Sequence, residues 1–182
     1  MKIKIEKVKT LHITDIDRLD PIVVNLEDYG ESSMSSGNRG IMTIRCHAQV
    51  WTHYWGGLGS RDLADFFCSC GNDYLAGKFA SNVKQYVEDL SNFDEFIKRT
   101  IIEKRKTMDM DKDEARELFD DAWLVDSPHG HEDFMYRLLG DEWWYDLPTE
   151  ENHEYKYMLR IFDAVKGGLK MMKAEEENNG SD

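Results

Sequence analysis

The spacing of apolar residues changes once along the chain, near Gly59, and this change limits the possible folds more than any other feature. Before it, apolar and polar residues alternate over residues 42–50, which is typical of a strand with one buried face. After it, apolar residues recur three and four positions apart, as they do on amphipathic helices. Strands followed by helices predict an α+β fold with the helices packed on one face of the sheet.

Two earlier stretches also have the composition of strands. Ile3 to Ile13 alternates with shifts of phase, and Ile22–Leu26 places three apolar residues on one face. Together with residues 42–50, these stretches predict a small antiparallel N-terminal sheet of about three strands. The Gly- and Ser-rich segment 29–40 between them predicts a mobile loop.

Five helices are predicted in the second part of the chain. The first begins at Ser60 as its N-cap, and a second follows the helical spacing of residues 75–90. A third covers residues 93–101, and a fourth begins at Asp111, which opens a capping-box pattern. The last is an amphipathic helix over residues 158–172.

The length of 182 residues fits one ordinary domain. We therefore predict a single α+β domain over residues 1–173, mainly strands over 1–58 and mainly helices over 59–173. Residues 174–182 are polar and acidic, which predicts a disordered tail. Because the chain has neither a long apolar run nor an apolar N-terminal signal, we expect a cytoplasmic protein with reduced thiols.

The net charge of −13 is unevenly distributed. Residues 81–182 contain 26 Asp and Glu against 14 Lys and Arg, a net of −12, whereas residues 1–80 are close to neutral. Such a field disfavours direct binding to nucleic acid or to anionic membranes. It favours either a basic protein partner or solubility alone.

The most distinctive aromatic cluster lies within this acidic part. Trp143, Trp144 and Tyr145 follow Asp141 and Glu142. Aromatic residues with an acidic rim are typical of a binding site for a basic partner, so these five residues are the candidate partner-binding residues. The alternative is that the aromatic rings pack in the core.

A second cluster joins the strand at residues 42–50 to the first helix through a glycine-rich turn. Backbone N–H groups at such a turn can bind an anion. However, the G-G-x-G spacing matches neither the dinucleotide-binding fingerprint nor the Walker loop, and a simple tight turn is the alternative. The candidate ligand-binding residues are His53, Tyr54, Trp55, Gly57, Gly59 and Arg61.

The sequence offers no clear metal, cofactor or catalytic motif. Cys68 and Cys70 are closer in sequence than zinc ligands usually are, and Cys46 lies on the apolar face of its strand. The aspartates from Asp109 to Asp113 do not form a calcium loop, because Glu114 replaces the required glycine. We therefore predict no metal, no cofactor and no catalytic residue, and we favour a non-enzymatic protein over an enzyme whose site is assembled by folding.

The stretch Tyr54-Trp55-Gly56-Gly57-Leu58-Gly59, followed by Phe66-Phe67-Cys68 and Asp73-Tyr74-Leu75, resembles a pattern in small accessory proteins of tailed phages and prophages. The resemblance covers residues 41–79. It implies action in the cytoplasm of a bacterial host, where proteins of this broad group include inhibitors of host defence systems, some with an acidic surface that imitates DNA. It assigns no functional residue.

The leading hypothesis is a non-enzymatic acidic interaction protein, a phage-encoded host-interaction or anti-defence factor that binds a basic, nucleic-acid-binding protein. One alternative is a small-molecule or nucleotide-binding module, or an enzyme, that uses the glycine-rich turn. The other is a structural or assembly component. The sequence does not predict the oligomeric state.

Overall fold

The computed structural model describes Ile3, residues 8–32 and residues 35–179. In this part of the chain, strands come first and helices dominate afterwards, which confirms the predicted α+β class. The elements are β1 (Lys9–Ile13), β2 (Ile22–Ser32), β3 (Ser35–Cys46), β4 (Gln49–Trp55), α1 (Leu63–Ser69), α2 (Asn72–Phe79), β5 (Tyr86–Glu88), α3 (Phe93–Thr107), α4 (Lys112–Asp121), α5 (Glu132–Leu139), β6 (Thr149–Glu151) and α6 (His153–Asn179). Two 3-10 turns lie at Ala122–Leu124 and Trp143–Tyr145.

The chain divides into two compact units. Unit 1 contains residues 1–85 and 153–182, and unit 2 contains residues 86–152. Unit 2 starts and ends on adjacent strands, because β5 and β6 pair antiparallel, with Val87 opposite Glu150. The prediction of one domain over residues 1–173 stays a prediction, since a chain that divides into two compact units can still form one domain.

Unit 1 is built on an antiparallel sheet in the order β1-β2-β3-β4. One face of the sheet is buried, and α1, α2 and α6 pack against it. The alternation of β2 and β3 places their apolar residues on this face, as the period-two pattern predicts. The buried residues of the two strands are Ile22, Val24, Leu26, Met42, Ile44 and Cys46.

Unit 2 has a separate helical core. It is formed by α3, α4, α5 and the turn at Trp143–Tyr145, which pack around Ile97, Leu118 and Leu138. These three side chains have no exposed surface. The predicted helix at residues 93–101 is confirmed as part of α3. The predicted cap of α4 is also confirmed, since the Asp111 carboxylate accepts hydrogen bonds from the N–H groups of Asp113 and Glu114.

The prediction of one strand over residues 42–50 is wrong. β3 ends at Cys46 and β4 begins at Gln49, so a two-residue turn at His47 and Ala48 interrupts the segment. His47 adopts the left-handed conformation, with φ of 51°. The alternation of apolar residues continues through the turn by coincidence, because Val50 lies on the open face of the sheet and is 60% exposed.

The prediction of a mobile loop over residues 29–40 is also wrong. Its described residues, 29–32 and 35–40, belong to β2 and β3, which pair with each other. The strands tolerate this composition because the pairing contains irregularities after Asp28 and after Glu31. Gly30, at φ of 64°, occupies the first irregularity with a conformation that glycine adopts without strain.

The helix predicted over residues 75–90 is too long. α2 ends at Phe79, and Tyr86–Glu88 forms β5 instead, because pairing with β6 overrides the apolar spacing. The first helix begins after Asp62 rather than Ser60, since the Asp62 carboxylate accepts the N–H of Asp65.

The first strand and the last helix differ from their predicted bounds. The strand predicted from Ile3 is confirmed from Lys9 onward, and residues 4–7 lie outside the described residues. At the other end, α6 confirms the predicted helix and continues to Asn179, into the segment 174–182 predicted as disordered. Its strong helix formers explain this continuation, and the last three residues are not described.

Candidate interaction surface

The charge of the protein is concentrated in unit 2. Unit 2 contains 20 Asp and Glu against 8 Lys and Arg, a net of −12 out of −13. Within it, residues 86–107 are balanced at five against five, and residues 108–152 contain 15 carboxylates against three cations. The whole net charge of unit 2 therefore belongs to these 45 residues, which we call the acidic segment.

Helix α4 presents the carboxylates of the acidic segment on one side. At 100° per residue, its five acidic residues fall within an arc of about 120°, next to the arc that carries the buried Ala115 and Leu118. Neighbouring like charges at this spacing cost helix stability. The acidic residues of α4 are Asp113, Glu114, Glu117, Asp120 and Asp121.

Few cations oppose this acidic side. The Arg137 guanidinium donates a hydrogen bond to Glu117 at 3.1 Å, and this bond raises the pKa of Arg137. Lys112 and Arg116 lie on α4 itself, and at 100° per residue Arg116 falls about 40° from Asp120, at the margin of the acidic arc, whereas Lys112 falls about 80° from it. The acidic side of α4 is therefore a local source of negative potential.

The predicted aromatic residues separate into core and surface. Trp143 is 6% exposed and belongs to the core of unit 2, with its ring 5.4 Å from His129. Trp144 and Tyr145 are 48% and 77% exposed, with ring centroids 5.9 Å apart. Asp141 and Glu142 are also exposed. Four of the five predicted residues are therefore exposed and available to a partner. Trp143 is buried in the core and contacts the ring of Trp144.

A further exposed tryptophan lies outside the residues predicted from the sequence. Trp123 is 74% exposed in the 3-10 turn that follows α4, and Leu124 beside it is 52% exposed. A signal was present, because Trp123 falls about 100° beyond Ala122 in the helical register and thus leaves the buried arc. The acidic segment therefore combines exposed indole rings with a large excess of carboxylates.

The glycine-rich turn of unit 1 is fixed by backbone pairing. The N–H of Leu58 donates to the carbonyl of Asn38 at 2.7 Å, and the N–H of Asn38 donates to the carbonyl of Gly59 at 2.8 Å. At the start of α1, Asp28 accepts the N–H of Leu63 at 3.0 Å. Two N–H groups of this segment, those of Leu58 and Leu63, thus already meet protein acceptors.

The six residues predicted around this turn do not converge. His53 and Trp55 face the helices, with rings 4.6 Å apart, whereas Tyr54 points to the open face of the sheet and is 50% exposed. Burial, with some contribution from Lys78, lowers the pKa of His53. Arg61 donates to Ser69 and lies over the ring of Phe66. A ligand-binding role for the turn stays a prediction.

A charge cluster ties α1 to α6. The Lys173 ammonium lies 2.8 Å from Asp62 and also contacts Asp65. Partial burial of the Asp62 carboxyl raises its pKa, but the N–H of Asp65 and the Lys173 ammonium lower it more, so the pKa of Asp62 lies below its ordinary 3.8. Partial burial lowers the pKa of Lys173, but the two carboxylates raise it more. Both shifts show that folding favours the charged pair.

Replacing Lys173 with methionine should destabilise unit 1 by about 1 kcal/mol at neutral pH. Because folding lowers the pKa of Asp62, the contribution of this carboxylate is present above 3.8 and is lost as the pH falls through its folded value. The difference from the wild type should therefore shrink below that pH. Urea unfolding at several pH values measures it, with Lys170→Met on the same helix as the matched control. A deficit that is constant with pH would contradict the ion pair.

No metal-binding cluster of three His, Cys, Asp or Glu side chains occurs among the residues that the structure describes. Cys46 is buried, and Cys68 and Cys70 are partly buried. Burial raises the pKa of both the Cys68 and the Cys70 thiols, which lowers their reactivity. Over the same part of the chain, the longest apolar stretch of any helix falls short of what spanning a membrane requires.

Comparison with known protein families gives a match over most of the chain. The sequence profile of Phage_phiTE_072, described as a phage family, matches residues 1–171. No curated protein and no solved structure matches the chain.

Proposed function

Since the chain belongs to a phage protein family, we propose that it is a phage-encoded, non-enzymatic interaction protein whose acidic segment binds a basic protein of the bacterial host. The observation that carries this proposal is the net charge of −12 within residues 108–152. The protein would act in the host cytoplasm, where such partners are found.

Electrostatics selects the class of partner. A surface of this charge repels phosphate backbones and attracts cationic surfaces, and attraction of this kind accelerates association. Proteins that bind nucleic acid carry such cationic surfaces. A host protein of that class is therefore the partner we propose, and occupation of its basic surface would block access of nucleic acid, which is one route to inhibition of a host defence system.

The exposed aromatic residues of the acidic segment also favour a basic protein partner. Trp123 and Trp144 present indole rings among carboxylates, and lysine or arginine side chains bind both groups, by cation–π contact and by charge-assisted hydrogen bonds. Tryptophan is also among the residues that contribute most to binding at protein interfaces. Solubility alone requires the carboxylates, but it does not require exposed tryptophans beside them.

The proposal is tested by capture of host proteins on the immobilised chain. A nuclease-treated lysate of the bacterial host is passed over it at increasing salt, and bound proteins are quantified by mass spectrometry. We expect basic nucleic-acid-binding proteins to be retained at low salt and released as the Debye length falls below about 10 Å. Nucleic acid added in excess should compete with the captured protein.

A pair of charge-matched variants locates the surface. Glu114→Gln, Asp120→Asn and Asp121→Asn together should weaken capture about tenfold, which corresponds to about 1.4 kcal/mol. The control removes the same charge from exposed carboxylates of unit 1, by Asp17→Asn, Glu31→Gln and Glu177→Gln, and should leave capture within about twofold. Equal losses in the two variants, or capture that is independent of salt, would contradict the proposal.

A further inference from the structure

A groove of about 630 Å³ lies within unit 1, between β1 and the C-terminal half of α6. β1 is the first strand of the sheet and pairs with β2 on one side. Its other edge, along residues 9–14, forms one wall of the groove. Gly168, Met171, Met172, Glu175 and Glu176 of α6 form the other wall. An edge strand opposite a helix is the arrangement that binds an extended segment by strand addition.

The walls of the groove define the chemistry of its occupant. Met171 is 69% exposed, and methionine side chains form an adaptable apolar wall. At one end, α6 approaches β1 so closely that a Cβ on Gly168 would lie 2.6 Å from Ile13. At the other end lie Glu175 and Glu176, and Lys9 pairs with Glu176 at 2.8 Å. The groove therefore fits a strand with apolar residues towards the helix and a cation at the glutamate end.

The N-terminal segment of the chain has this composition. Residues 2–7 read Lys-Ile-Lys-Ile-Glu-Lys, so Ile3 and Ile5 alternate with charged residues. Ile3 is 79% exposed in the single chain. An exposed isoleucine and an uncovered methionine wall on the same unit are complementary surfaces.

The segment cannot readily reach the groove of its own chain. Because it directly precedes β1, it would have to reverse direction at Lys7 and Val8. Two-residue reversals between strands favour Asn-Gly, Asp-Gly or Gly-Gly, and neither residue here adopts the required positive φ without strain. A second copy faces no such constraint, since its segment can enter the groove without a turn.

We propose that the groove between β1 and α6 binds the N-terminal segment of a second copy of this chain. The two copies pair antiparallel about a two-fold axis, with Val8 opposite Val8, and each fills the groove of the other. This register places Ile3 opposite Ile13 and Ile5 opposite Leu11. Opposed residues share a face of the sheet, so both isoleucines lie on the helix side with Leu11 and Ile13.

The same register brings charged residues of the two copies together at one end of the groove. Lys7 lies opposite Lys9, and two cations directly opposed would destabilise the pair. Glu175 and Glu176 line this end of the groove and supply two carboxylates for the two lysines. This proposal concerns unit 1 alone, so its outcome is independent of the function proposed for the acidic segment.

Sedimentation velocity over a range of protein concentrations tests the proposal. The wild-type chain should form dimers in a concentration-dependent manner. Ile3→Asp with Ile5→Asp should raise the dimer dissociation constant at least about tenfold, since it buries carboxylates against methionine. The matched control is Ile102→Asp in unit 2, where Ile102 is 45% exposed, and it should dimerise as the wild type does.

A second arm tests the groove itself. Met171→Asp should prevent dimerisation and leave the circular dichroism spectrum unchanged, because this side chain is largely exposed. A synthetic peptide of residues 1–8 should bind the Ile3→Asp, Ile5→Asp variant and should not bind the Met171→Asp variant. A wild-type chain that stays monomeric, or a dimer that survives either set of substitutions, would overturn the proposal.

Discussion

Replacing Phe162 with alanine should lower the free energy of unfolding of unit 1 by about 3–5 kcal/mol. Phe162 of α6 has no exposed surface, and its ring centroid lies 6.1 Å from Phe67 of α1 and 5.6 Å from Phe79 of α2. Truncation removes the aromatic contacts among three helices and leaves a cavity where they meet the sheet. Urea unfolding measures the decrease in the free energy of unfolding, and hydrogen exchange of the amides in β2 and β3 shows that it affects unit 1.

The control for this variant lies on the same helix. Lys170 is exposed on α6, so Lys170→Ala should change the free energy of unfolding by no more than about 0.5 kcal/mol. Hydrogen exchange in α3 and α4 shows whether unit 2 responds to the loss of Phe162. A stability of the Phe162 variant within about 1 kcal/mol of the wild type would contradict the aromatic core described for unit 1.

Two elements with local signals, the cap of α4 and the apolar stripe of α6, were predicted correctly. The cap at Asp111 acts on N–H groups two and three residues away, and the apolar stripe of α6 repeats within single turns of the helix. Both signals are complete within a short window of sequence. The α+β class follows from the order of such windows, so it was predicted together with them.

The errors over residues 29–40 and 75–90 share a dependence on distant pairing. β5 is a strand because it pairs with β6, with Val87 opposite Glu150. The residues around Val87 carry no sequence signal that predicts this distant partner. Similarly, residues 29–32 are extended because β3 pairs with them, although their composition is typical of a loop. The turn at His47 was hidden because alternation continued through it. Period and composition report local preference, and in the first two cases a contact formed by the whole fold overrode it.

The candidate surface was predictable in its charge but not in its geometry. The excess of carboxylates after residue 80 can be counted from the sequence. Its restriction to residues 108–152 follows from the structure, because α3 groups the cations of residues 86–107 into one helix that precedes the acidic segment. The five cations of residues 86–107 belong to α3, and they balance the acids around them. Adjacent tryptophans illustrate the same limit, because packing alone distinguishes the buried Trp143 from the exposed Trp144.

Replacing Trp143 with alanine should destabilise unit 2 by about 3–5 kcal/mol. Its indole ring is 6% exposed and packs in the same cluster as Leu138 and Met135. The loss of this ring should also release Trp144, whose ring centroid lies 5.8 Å away. Hydrogen exchange of amides in α4 and α5 measures the destabilisation, and binding of the basic partner should weaken because the unit opens.

Replacing Trp144 with alanine tests the binding of the basic partner separately from the stability of unit 2. This ring is 48% exposed, so the variant should keep unit 2 within about 0.5 kcal/mol of wild-type stability. If Trp144 contacts the basic partner, the same variant should weaken capture about tenfold or more, as truncation of an interface tryptophan does. Unchanged capture with unchanged stability would remove Trp144 from the interface. A large loss of stability would show that both tryptophans serve the core, and the acidic surface would then lack its aromatic contact at this position.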